Sequence, residues 1–551
     1  MGIIPFGDIN SFLSTEQSVK LESSFGLNYS TLLAINKCPS TLVNFVLETH
    51  QSYDDPFESF FDQSLMERRM DKFLGCDALA DAVPDQLNDY DALKIKQFKD
   101  GIELIDGKYH VDLVWHESIK NVQNNFGVAI NVLDRVHKKL SADGRWDEYV
   151  GGFEDLEKEG VIERLGRVQD LKNLKECVLL PHRPVFKETE QSTTKMRPVF
   201  NASLKTKKGA PSLNEASYCG INLMRDMTQL LMLFRTNKYI YVGDIRKAFL
   251  MIHLKRIYDR NKFSFLLKIG NEVICFRFTT IIFGFNASPF ILNYVLQHHI
   301  NSFPQNDCTE MMRSGFFVDN LIKTLNDEDA LIKLYSESVA RLAMGNFDLR
   351  SCNTNSDKLK AKMQADNKFV EHGCDAEKVL GYNYYPSSDV MKLAKVIFKE
   401  NPVSVSKRFV VSQTSKVFDP LNLSAPVAVR SKTLISKIWK EMQSKVNHWD
   451  ETISEESCST WNTLKKDLEG LSDMAFPRYS LSEDLPADLY LFSDASKEAY
   501  GYVAYAVQEG QSGFLMAKTK VAPLQGKTLP TLELMGAHLA YKGVIEMCTL
   551  L

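Results

Sequence analysis

Two acidic positions stand where apolar, strand-like runs end or turn: Asp244 closes YIYVGD, and Asp319 sits beside Asn320 inside GFFVDNLIKT, residues 315–324. Carboxylates delivered by neighbouring strands can hold a hard divalent cation such as Mg2+, which takes oxygen ligands. Taken alone, the Asp-Asn pair reads more simply as a tight hairpin, because both residues tolerate positive φ. Two further acids have strand and helix context near the C-terminus. Asp494 ends the run LYLFSD, and Glu533 lies in TLPTLELMGAHLAYKGV, which has the spacing of a capped helix.

Asp244 and Asp319 are 75 positions apart, so they can meet only if the chain places them on adjacent strands. The surrounding pattern allows it. The strand-like run at 239–242 turns helix-like after Asp244; EVICFRFTTIIFGF at 272–285 is strand-rich; and Ser288-Pro289 predicts a helix start with Ser as cap and Pro in the first turn. Asn326 is the expected cap of a helix over about 327–344, closed by Gly345. Upstream, Phe126, Ile130, Leu133, Val136 and Leu140 recur at helical spacing, a second helix is expected over 153–165, and 178–203 reads as two strands around a polar hairpin. The order describes an α+β layer with helices on one face of an antiparallel sheet. Around the 178–203 hairpin, Arg183, Lys187, Lys195, Arg197, Lys205, Lys207 and Lys208 outnumber Glu188 and Glu190. That run suits a solvated loop and a phosphate-binding surface equally well.

At 551 residues the chain should form three or four compact units. Its 66 Lys+Arg against 70 Asp+Glu give a formal charge of -4, so any nucleic-acid surface must be local. Ten cysteines without a CxxC pair or a Cys/His cluster argue against a zinc module or a disulfide framework. Neither a signal peptide nor an apolar run long enough for a membrane span is found, so an intracellular, non-secreted protein is expected, with no membrane partner.

The series MRPVFNAS, YVGDIRKAF, FGFNASPF, FFVDN and KVLGYNYY resembles, in order and spacing, the motifs of retroelement reverse transcriptases. DGKYHVDLVWHE at 106–117 and FDPLNLSAPVAVRSKTLISKIWK at 418–440 resemble the BEL/Pao class of long-terminal-repeat retrotransposons in particular. The resemblance runs from about 89 to 551. It implies a right-hand polymerase: fingers and palm over 89–385, thumb and connection over 386–480, then a truncated ribonuclease H-like α/β domain over 487–551. Residues 1–88 would be a remnant or linker after a missing protease, for they contain no Asp-Thr-Gly or Asp-Ser-Gly.

The same resemblance implies two-metal nucleotidyl transfer with Mg2+, or Mn2+ in its place, acting on deoxynucleoside triphosphates and a primer paired to an RNA or DNA template. Asp244 and Asp319 would hold the ions, with the Ile245 carbonyl as a further ligand. Arg197 would grip the triphosphate, Phe249 would reject a ribose 2′-OH, and Gly284 would allow close backbone approach to the nucleotide. Asp494 and Glu533 match the first two of four ribonuclease H carboxylates, and the chain stops at Leu551 before the others. The location implied is the cytoplasm or a retroelement particle. Trp439, Trp449 and Trp461 fit a thumb against the duplex and an ordinary helical bundle equally.

Two positions depart from the family pattern. Phe317-Val318-Asp319-Asn320 supplies one carboxylate where the family has two, so an oxygen acceptor is kept and a full charge is lost. Arg350-Ser351-Cys352 stands where the family tends to have Arg-Lys-Trp. The sequence therefore leaves two principal readings: a reverse transcriptase impaired at Asn320, and a primer–template-binding relic or domesticated fragment without catalysis.

Overall fold

The computed structural model describes residues 88–186, 196–207, 209–369, 376–442 and 449–550. The N-terminal region expected over 1–88 and the tip of the 178–203 hairpin, with Lys187 and Lys195, lie outside the described residues, as does Lys208.

Helix α1 (Asp89–Asp100) opens the described chain, followed by α2 (Phe126–Ala142), which buries Leu133 and Leu140 as its apolar spacing requires. The next helix, α3, runs Trp146–Lys158 rather than 153–165. Gly160, at φ +71°, ends it, and Ile162–Arg167 becomes strand β1. The hairpin β2 (His182–Phe186) and β3 (Met196–Phe200) is antiparallel, as expected. After α4 (Met227–Phe234) comes β4 (Tyr239–Ile245), then β5 (Ser264–Ile269) and β6 (Glu272–Phe278), which form an antiparallel sheet with β1.

The central sheet has the order β7 (Phe316–Phe317), β8 (Asn320–Leu325), β4, β9 (Leu349–Asn353), antiparallel throughout. Helix α5 (Ser288–Asn301) begins one residue after its N-cap, which is Ala287; the Ser288 hydroxyl instead donates to the Ile282 carbonyl at 2.7 Å. Helix α6 (Glu328–Met344) is capped by Asp327, whose carboxylate accepts from the Asp329 and Ala330 amides. Asn326, the expected cap, reaches across to Asn237, Ser482 and Asp484. Its neighbour had the shorter path to the free helix amides.

Alternation along β4 covers both faces of this sheet. Tyr241 and Ile245 belong to the main core, where the Tyr241 hydroxyl lies 3.0 Å from the Ser338 hydroxyl of α6. Ile240 and Val242 point the other way, into a second core. The expected helix layer is therefore only half of the arrangement. The second face is closed by the C-terminal segment: β10 (Asp488–Ala495), β11 (Ala499–Gln508) and β12 (Gln511–Val521) form an antiparallel sheet crossed by α7 (Leu529–Leu550). Tyr500, Tyr502, Leu515 and Leu539 of that segment share one core with Leu231 and Phe234 of α4. Among the described residues β10 has a strand partner on one side only, and Phe492 on it is 42% exposed, an open edge of the kind expected to be adhesive.

A third core surrounds Trp461, which is fully buried among helices spanning Lys407–Thr414, Ala425–Glu441 and Glu455–Glu469. Trp439 and Trp449 take another role: the Lys407 ammonium sits 3.6 Å and 4.4 Å from their ring centres. Burial pushes that amine down to about 8. Among the described residues, no helix is long and apolar enough to cross a membrane.

Two buried guanidinium groups join the central sheet to the C-terminal segment. Arg235 donates to the carbonyls of Leu515 (2.6 Å) and Pro477 (3.0 Å) and to the Ser480 hydroxyl (2.6 Å). Arg478, with no exposed surface, makes a bidentate pair with Asp389 (2.6 and 2.9 Å) and donates to the carbonyls of Phe234, Asn237 and Lys238. Replacing Arg478 with Met leaves those carbonyls without their donor and Asp389 with only the Tyr384 hydroxyl. Urea unfolding of Arg478→Met is therefore expected to show a loss of about 3–5 kcal/mol; a change under 1 kcal/mol would mean the junction does not depend on this residue.

Candidate functional site

The site forms at the ends of three strands. Phe316 pairs with Leu321 and Phe317 with Asn320, so the turn between them is Val318-Asp319. The hairpin read from the sequence is present, but one residue earlier than the Asp-Asn pair. Val318, at φ +56°, carries the left-handed conformation, and Asn320 is already in strand β8. A β-branched residue in that region is strained.

Register places the rest. Asn320 lies directly opposite Asp244 on β4, and the Ile245 amide donates to the Asp319 carbonyl at 2.9 Å. The Asn320 side-chain amide donates to Asp319 Oδ1 at 3.1 Å, occupying a carboxylate oxygen that a second acid could not. On the other side of Asp244, directly opposite across β9, stands Arg350. Amide, carboxylate and guanidinium thus form one row across three strands on one face of the sheet.

Burial pushes the Asp244 carboxyl up to about 7; the Asp319 charge and, more weakly, Glu377 act in the same direction, while Arg350 and Arg197 oppose them. Burial also raises Asp319, against the Arg197 charge. Behind the row, Arg246 and Lys247 turn to Glu159 of the loop after α3, at 3.2 and 2.7 Å, with Lys247 at φ +49°. Phe249 is buried and meets the half-exposed Phe283 edge-on at 4.6 Å. Gly284 has φ +95°, and a Cβ there would lie 2.5 Å from the Phe200 carbonyl oxygen. In this chain the close approach that requires glycine is therefore to β3.

Asp244, Ile245, Asp319 and Asn320 are thus brought together, with Arg197 within electrostatic reach. Asp494 and Glu533 belong to the other sheet. Asp494 is exposed at the end of β10, its Oδ1 accepting from the Ala495 amide at 2.8 Å. Helix α7 crosses close by: a Cβ on Gly536, one turn from Glu533, would sit 3.4 Å from the Asp494 carbonyl oxygen. Sequence reasoning missed Arg350 as the partner of Asp244 and Glu377 as a neighbour. In the sequence Arg350-Ser351-Cys352 stands out only for the residues it lacks, and no local pattern marks Glu377.

A site for two divalent ions takes hard oxygen ligands, a few carboxylates together with substrate phosphates. Among the described residues no group of three or more His, Cys, Asp or Glu side chains is placed to hold a metal ion. The central sheet offers two carboxylates, one already hydrogen-bonded to Asn320, and a cationic side chain stands opposite the other. By themselves these protein groups do not complete a two-ion site, and its remaining ligands would have to come from substrate phosphates.

Comparison with known proteins places the C-terminal part. Residues 406–551 match the Pao retrotransposon-like RNaseH-like domain; that range takes in the Trp461 bundle as well as the β10–β12 sheet and α7. The segment is therefore RNaseH-like within a mixed α/β chain. The Pao-type resemblance of the sequence motifs is borne out there. No curated protein matches the chain. Two solved structures are similar: a foamy viral protease-reverse transcriptase in complex with double-stranded DNA (14% identity, TM-score 0.42, covering 71% of this chain and 59% of that one), and a foamy viral protease-reverse transcriptase in complex with RNA/DNA hybrid (14% identity, TM-score 0.46, covering 73% and 46%). This chain spans about half of the length of those structures.

Two outcomes follow from the site itself. Val318→Gly relieves the strained turn and is expected to raise stability by about 1 kcal/mol in urea unfolding; a loss would show that the valine side chain contributes more by packing than its backbone costs. Asp244 has a folded pKa above its unfolded value, so its contribution to stability is complete below about pH 4 and is lost as pH rises through about 7. The urea midpoint should therefore fall between pH 5 and 7.5, and should fall less in Asp244→Asn.

Proposed function

We propose that this chain is a reverse-transcriptase-type protein, with fingers and palm over 89–385, thumb and connection over 386–480 and a ribonuclease H-like unit over 487–551. It holds an RNA or DNA template paired to a primer, and its nucleotidyl-transfer centre is impaired at Asn320. The observation that carries this reading is the register across the central sheet. Asp244 and Asp319 converge as such a centre requires, while the position opposite Asp244 holds an amide that donates to Asp319. Duplex would be held chiefly through its backbone, and binding would weaken with salt. Arg197, Phe249 and Gly284 would line the place of the incoming deoxynucleoside triphosphate, and the protein would act in the cytoplasm or in a retroelement particle.

A second reading, an active Mg2+-dependent polymerase, is favoured by one feature: the hydrogen bond from the Ile245 amide to the Asp319 carbonyl, which fixes the turn beside Asp244. Primer extension on an RNA template, with Mg2+ and then Mn2+, separates the two. The impaired centre predicts that Asn320→Asp extends primers at least ~100-fold faster than the unmodified chain, about 2.7 kcal/mol of barrier, and that adding Asp244→Ala silences it. Primer extension by the unmodified chain as fast as by Asn320→Asp, and abolished by Asp244→Ala, would establish the active enzyme instead.

A further inference from the structure

In the row Asn320, Asp244, Arg350 the cation faces Asp244 through electrostatics alone. Arg350 is half-buried, and among the described residues its guanidinium makes no hydrogen bond and no ion pair. The anions that could neutralise it are engaged elsewhere: Glu159 with Arg246 and Lys247, and Asp348 with the Lys368 ammonium at 2.7 Å. Burial and the like charge of Arg246 act against its positive form, while the charges of Asp348, Asp244 and Glu159 act in its favour. The strand is also bent to present it. Register shifts between Arg350 and Asn353, and Ser351 between them takes φ +51°. Bulges and left-handed non-glycine residues cost free energy and recur where a side chain must be aimed. Arg197, exposed on β3 and also without a hydrogen bond or ion pair among the described residues, acts electrostatically on both Asp244 and Asp319. Two guanidinium groups that make no hydrogen bond or ion pair among the described residues therefore border Asp244 and Asp319.

We propose that this centre is a phosphate-binding site that works without a divalent ion, with Arg350 as its principal contact. A planar guanidinium matches a phosphate bidentately, and an unpaired one is already stripped of part of its water. The phosphate can belong to a nucleic-acid backbone or to a triphosphate. The first source rests on the primer–template reading above; the second does not.

The test is fluorescence anisotropy of a labelled RNA/DNA primer–template with the full chain, in EDTA and in Mg2+, over a range of salt concentrations, with sodium tripolyphosphate as competitor. The unmodified chain should bind equally well in EDTA and in Mg2+. Arg350→Gln should weaken binding about tenfold, the effect of one charge-assisted contact, and should flatten the salt slope by about 0.9, one phosphate's share. Arg350→Lys keeps the charge and should keep the slope while losing affinity. An unchanged melting curve for both variants separates lost contact from lost fold. If Arg350→Gln binds with the same affinity and slope, the proposal is overturned. If duplex does not bind at all but calorimetry detects Arg350-dependent tripolyphosphate binding in EDTA, the phosphate site stands and the primer–template reading fails. Binding of neither ligand overturns both.

Discussion

Arg235 and Arg478 set the constraint on which the rest of the chain depends. Taking a guanidinium out of water is unfavourable unless its donors are met. Here they are met by groups from distant stretches: Pro477, Ser480 and Leu515 around Arg235, Phe234 to Lys238 and Asp389 around Arg478. Burial lowers Arg235 only to about 10, so it stays charged at neutral pH. Such groups specify geometry more than they add stability. A shifted C-terminal sheet would leave both cations and their acceptors unmatched, whereas apolar contacts would tolerate the slip.

That fixed junction decides what the central sheet presents. Ile240 and Val242 lie on the same face of β4 as Asp244 and are covered by the second core; Asp244 is the first residue of that face to reach the surface, and only partly. Its high pKa follows from this placement, since burial is the largest cause and the Asp319 charge comes second. The C-terminal segment thus covers the face of the central sheet on which Asp244 lies.

Much of this was legible because certain signals are local. Strand-like runs ending in Asp244 and Asp494, the amphipathic spacing of 126–140 and the capped helix carrying Glu533 all depend on near neighbours. The errors fell where two local options compete. Gly160 ended a helix whose apolar spacing continued beyond it; Asp327 displaced Asn326 as cap; and the turn settled on Val318-Asp319, although propensity favours Asp-Asn. Strand register overrode turn preference there, because Phe316 and Leu321 are buried together only in that pairing. The second face of the central sheet and the pairing of Arg350 with Asp244 had no local signal. Both join residues more than 100 positions apart.

Asn320 can be understood within this frame. A second carboxylate opposite Asp244 would add a third charge to a pair that already resists ionisation, and would repel Asp319 instead of donating to it. The amide removes that conflict: it satisfies Asp319 Oδ1 and leaves Asp244 between one neutral neighbour and one cation. A metal site stores such repulsion for use when ions bind, and a turn with Asn320 in this place stores less of it. The strained Val318 and the bulged strand of Arg350 still hold the row of side chains in place.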